Sequence, residues 1–129
     1  MKRSPLRRKP KPRKVPPRAP TGELTPLEWR EAVWLRCGGC CIATGSAVPL
    51  HAMMAWSAHH AIKRQTLERR QAPAWDPRVG VVLTTDAHRK HTDRFLVIPF
   101  ERLPAYVVEF AASLGPWAED ALLREHPRG

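Results

Sequence analysis

The first twenty residues, MKRSPLRRKPKPRKVPPRAP, cannot join a folded core. They hold six prolines, nine Lys or Arg and no acid. Proline lacks a backbone N–H and its ring clashes with a helical turn, so neither a helix nor a ladder can run through the segment. A stretch this charged and this poor in apolar residues buries too little to offset its ordering entropy. An extended, disordered arm is therefore expected over residues 1–24, and one folded domain over residues 25–129.

The arm also carries the charge. Of the 22 Lys and Arg side chains, 13 remain beyond it, against 12 Asp and Glu, so the rest of the chain is near neutral. A cationic arm suits a polyanion, nucleic acid before a membrane surface, or serves as a solubilising leader. No apolar run approaches the roughly 18–20 residues of a membrane span, so no membrane partner is expected. No apolar stretch follows the basic start, as a secretory signal requires. Three cysteines, two of them adjacent, make no disulfide framework. The chain reads as cytoplasmic.

Within the domain, Thr25-Pro26-Leu27-Glu28 starts a helix: Thr25 caps, Pro26 suits the first position and Glu28 completes a capping box. That helix should stop at Gly38-Gly39. Apolar runs on either side of Thr44-Gly45-Ser46 suggest a small hairpin. The end of LHAMMAWSAHHAI reads as a strand and KRQTLERRQ as a short basic helix or turn. Pro73 and Pro77 bracket a loop, and VGVVL (79–83) is a second strand by its valines. TTDAHRKHTD follows as a helix capped by Thr84 or Thr85. FLVI (95–98) is expected as a further strand. Helices from Pro104 to Leu114 and from Pro116 to about Glu125 close the chain, with Gly115 between them. The fold class is α+β.

Four of the six histidines fall in this strand–loop–strand–helix stretch. Imidazole is the commonest ligand for borderline metals and the usual base near neutral pH. Neighbours on a strand point in opposite directions, so His59 and His60 are expected to do different work. His88 and His91, three apart, share a helix face. A strand histidine meeting helix histidines can hold a divalent ion with open positions; otherwise these are surface histidines in a basic groove.

CIATG (41–45), HHAI (59–62), WDPRVGVVLTTDAHRKH (75–91) and DRFLVIPFERLP (93–104) together resemble the HNH endonucleases, especially small bacteriophage-encoded ones. The resemblance covers residues 36–104. It implies a ββα-metal core, in which a two-stranded ribbon and a helix clamp one divalent ion, flanked here by the C-terminal helices (104–126). It further implies metal-dependent hydrolysis of phosphodiester bonds in DNA, with little sequence specificity. Position by position, His60 matches the general base that activates water, His59 the first metal ligand and His88 the last histidine of the motif, also a ligand. His91 lies one residue short of a further ligand position, now Thr92, and remains a candidate. The implied cofactor is Mg²⁺ or Mn²⁺. Lys63, Arg64, Arg78, Arg89 and Lys90 flank the motif as candidate phosphate contacts.

Two departures stand out. The motif's central Asn falls on Val79, which cannot hydrogen-bond, so nearby Asp76 is the candidate to orient the base. Of the four cysteines of the zinc knuckle that many relatives carry, only Cys41 remains, so no structural Zn²⁺ is expected. The alternative is a catalytically inactive ββα module that binds nucleic acid in a phage packaging or recombination assembly.

Overall fold

The computed structural model describes residues 24–129, and the expected arm lies outside them except for Leu24. Helix α1 (Pro26–Arg36) begins as its capping box dictates. Thr25 Oγ1 accepts the Glu28 N–H at 3.2 Å, and Glu28 returns a carboxylate oxygen to the Thr25 N–H at 3.0 Å. The helix ends at Cys37, where Gly38 and Gly39 take left-handed backbone (φ 76° and 70°) that a side chain would resist.

Strands β1 (Trp56–His60) and β2 (Gly80–Thr84) pair antiparallel, with His59 opposite Val81 and His60 opposite Gly80. Between them lie the short helix α2 (Arg64–Arg69) and a 3₁₀ turn, Pro77–Val79, capped by Asp76. Helix α3 (Thr85–Thr92) follows β2 directly, with Thr84 Oγ1 accepting the Ala87 N–H. Helices α4 (Ala105–Leu114) and α5 (Pro116–Glu125) form a hairpin hinged at Gly115, φ 128°. The result is a small α+β fold, with five α-helices and one two-stranded antiparallel sheet among the described residues. No helix there is long and apolar enough to cross a membrane.

Helix α1 packs on one face of the ribbon and α3 on the other, so β2 is buried from Gly80 to Leu83 while β1 is half-buried after Trp56. Trp29 and Val33 of α1 press so closely on Gly80 that a Cβ there would lie 2.5 Å from Val33 Cγ2 and 2.7 Å from Trp29 Cζ2. Val81, Val82, Ile62, Leu67, Val107 and Leu122 complete the buried apolar centre.

Two expected elements differ. The hairpin around Gly45 is a tight turn with one isolated bridge, Cys40 to Ala47. FLVI is not a strand. Its alternation is real, since Ile98 is buried while Phe95 and Val97 face outward. Its backbone partners lie elsewhere. The Phe95 and Leu96 N–H groups donate to Lys90 O at the end of α3, and the carbonyls of Leu96 and Ile98 meet histidine rings.

Candidate metal centre and base

Three imidazoles converge: His59 from the middle of the ribbon, His91 from the last turn of α3 and His126 from the end of α5. One ring nitrogen of each lies within 4.8 Å of the others, close enough to bind a metal ion. The His91 and His126 rings are parallel at 5.2 Å between centroids, and His59 meets both edge-on at 5.1 and 6.0 Å.

Backbone carbonyls orient two of these rings. His126 Nδ1 lies 2.9 Å from Ile98 O, and His91 Nδ1 lies 3.3 Å from Leu96 O. A carbonyl only accepts, so in each neutral ring Nδ1 carries the hydrogen and Nε2 keeps its lone pair. This outer arrangement is the one that fixes tautomers in histidine metal sites. His59 Nε2 and His126 Nε2 are both buried without a hydrogen-bond partner. An orphaned buried lone pair is costly, and a divalent ion would satisfy both. Burial, reinforced by the neighbouring rings, holds His59 well below the usual histidine range. Burial also lowers His126, partly offset by its bond to Ile98. Both therefore rest as the neutral, ligating form near pH 7.

The set differs from the expected one. His88 lies beside His59, 5.4 Å between ring centroids, but its nitrogens do not join the converging three. His126 takes the place expected of His88. It belongs to no motif, and it reaches the site only because the α4–α5 hairpin folds back and Phe100 N–H bonds to Pro127 O. Its sequence signal was slight: a histidine at a helix end, before a proline. Among the described residues no cysteine joins a metal-sized cluster. Cys37 Sγ instead accepts the Val82 N–H at 3.4 Å and donates to Cys40 O at 3.6 Å.

His60, the neighbouring strand position, turns toward α1. Its ring stacks on Trp29 at 4.3 Å and 18°, with Trp75 edge-on at 5.3 Å. His60 Nε2 lies 2.8 Å from Ala74 O, which makes Nε2 the hydrogen-bearing nitrogen and leaves Nδ1 basic. Burial lowers its pKa, so Nδ1 is free to take a proton at neutral pH.

Asp76 does not orient His60 through its carboxylate. That group is held by Arg78, at 2.9 Å to the guanidinium and 2.9 Å to the backbone N–H, and these bonds keep its pKa low. The loop is instead positioned by Trp29, whose Nε1–H donates to Asp76 O at 2.8 Å. Val79, at the place of the motif Asn, is buried core.

A cavity of about 610 Å³ is lined by His59, His60, His88 and His91. Lys63 and Arg64 line it, together with Arg94 and Arg124, which the flanking pattern did not single out. Lys63 pairs with Glu125 at 3.5 Å and Arg64 with Glu68 at 3.5 Å. Arg78, Arg89 and Lys90 are not among its lining residues. Arg78 lies over the Phe110 ring, Lys90 pairs with Asp86 at 3.2 Å and Arg89 is exposed.

Compared with protein-family models, with curated proteins and with solved structures, the chain matches none.

Proposed function

We propose that this protein is a metal-dependent nuclease of the HNH type that hydrolyses phosphodiester bonds in DNA. The reading rests chiefly on one observation: His59, His91 and His126 converge, with the Nε2 atoms of His59 and His126 buried and orphaned, beside a cation-lined cavity that also includes His60. The order β1, β2, α3 supports a ββα core. Three imidazoles suit a borderline transition ion such as Zn²⁺ better than Mg²⁺ or Mn²⁺, which prefer oxygen ligands. That differs from the Mg²⁺ or Mn²⁺ implied by the motif alone. When bound, such an ion would supply Lewis-acid stabilisation of charge developing on a phosphoryl group.

The chain's own groups do the rest. His60 Nδ1 takes a proton from the attacking water, while Ala74 O holds Nε2–H and Trp29 fixes the ring plane. Lys63 and Arg64 meet the phosphates and position the strand without reading bases. The base is held by a carbonyl and an indole, with no part for the missing Asn.

Val79 favours the second reading, a binding module without activity. Plasmid nicking separates the two, with metal-stripped protein reloaded with Zn²⁺, Mn²⁺ or Mg²⁺. Cutting that needs a transition ion and is lost in a folded His60→Ala variant supports the nuclease. A folded wild type that binds metal and DNA but never cuts would leave the module.

A further inference from the structure

The turn after α3 places Arg94 in the left-handed region, φ 67°. The Phe95 N–H donates back to Lys90 O at 2.8 Å, so Arg94 occupies the position after the helix end that usually falls to glycine. A side chain is strained there, and Arg94 gains nothing from the fold in return. Its backbone N–H donates to His91 O at 3.1 Å, but its side chain makes no hydrogen bond or ion pair with the described residues, and it lines the histidine cavity. Phe95 follows, 83 % exposed, and Val97, 63 % exposed, lines the same cavity as Arg94. This tip is tied to the metal centre because Leu96 O and Ile98 O receive His91 and His126.

Resting on the nuclease reading, we infer that Arg94 and Phe95 form a recognition tip for single-stranded DNA, in which Phe95 stacks on an unpaired base while Arg94 meets the adjoining phosphate. Charge argues for this occupant. Lys63, Arg64, Arg94 and Arg124 line the cavity against Glu125 alone, which is itself paired with Lys63. An exposed aromatic beside a positively charged groove is the arrangement that binds single strands without sequence preference. A regular duplex presents no free base face, so the protein should favour single-stranded or locally unpaired substrates.

The test is fluorescence anisotropy of the full-length, metal-free protein with labelled single-stranded and duplex oligonucleotides, so that cleavage plays no part. Phe95→Ala should weaken single-strand binding by about 5- to 150-fold, as loss of one base–aromatic stack does, and leave the salt slope unchanged. Arg94→Gly should weaken binding, reduce the salt slope by about 1 and leave the melting temperature no lower, because glycine suits the turn. Single-strand binding by wild type that neither variant alters would overturn the inference while leaving the nuclease reading intact. Sedimentation of wild type as a dimer that Phe95→Ala dissociates would also overturn it, because the patch would then be a protein interface. No binding of any DNA together with no nicking would overturn the nuclease reading itself.

Discussion

Replacing His59 with leucine should stabilise the metal-free protein and abolish its response to metal. In the folded chain His59 is held neutral, with Nε2 buried and no hydrogen-bond partner. Leaving such an atom unsatisfied costs about 1–3 kcal/mol. Leucine has similar bulk and no polar atom, so His59→Leu recovers that cost. For a domain of this size, each kcal/mol moves the melting temperature by about 4–8 °C. An ion at 100 times its dissociation constant stabilises wild type by about 2.7 kcal/mol, whereas a variant lacking a ligand gains little. The gap should therefore close or invert. In EDTA the variant melts several degrees above wild type, and in saturating Zn²⁺ wild type closes or reverses the gap. Circular dichroism melts of both proteins in both buffers measure this. A variant that melts below wild type in EDTA would refute the unsatisfied-atom reasoning. An equal Zn²⁺ shift in both proteins would remove His59 from the ligand set.

Other outcomes follow from the same geometry. Trp29→Phe keeps a ring on His60 but loses the bond to Asp76 O, so it should cost about 0.5–1.5 kcal/mol and lower kcat with KM spared, read by melts and nicking kinetics. Gly80→Ala forces Trp29 and Val33 outward from contacts of 2.7 and 2.5 Å, and should cost about 1–3 kcal/mol and reduce nicking in the same assays. His59, His60 and His126 all have lowered folded-state pKa values. The unfolded chain therefore binds more protons as pH falls below about 6.5, so their stability contribution is complete above that value and is lost from there toward the folded pKa values. Melts of the metal-free protein should accordingly fall in temperature from pH 7 to 5, and a flat profile would contradict the lowered values. Deleting residues 1–20 should make the slope of log K against log salt shallower by about 4–5 if five arm charges meet phosphate, as titrations at several salt concentrations would reveal.

Local chemistry made most of the scaffold legible. Thr25, Pro26 and Glu28 define one helix start, Gly115 and Pro116 define a helix junction, and the valines of 79–83 mark the buried strand, which runs one residue later, Gly80–Thr84. Each signal acts over a few residues. FLVI failed because alternation reports only which side chains are buried and says nothing of where the carbonyls go. Here the partners are imidazoles on α3 and after α5. The opposite facing of His59 and His60, toward α3 and α1, followed from strand geometry. The entry of His126 did not, because it depends on how the last hairpin packs, which no short pattern encodes. Asp76 was misjudged for a related reason. Its nearest cation, Arg78, lies two residues away and captures the carboxylate before it can reach His60.

The most direct test of the metal centre is anomalous diffraction from crystals grown with Zn²⁺ or Mn²⁺. One peak should lie about 2.0–2.1 Å (for zinc) from the Nε2 atoms of His59, His91 and His126, with His88 outside the coordination sphere. A peak on His59, His88 and His91 with His126 free, or no peak among these histidines at saturating metal, would contradict it.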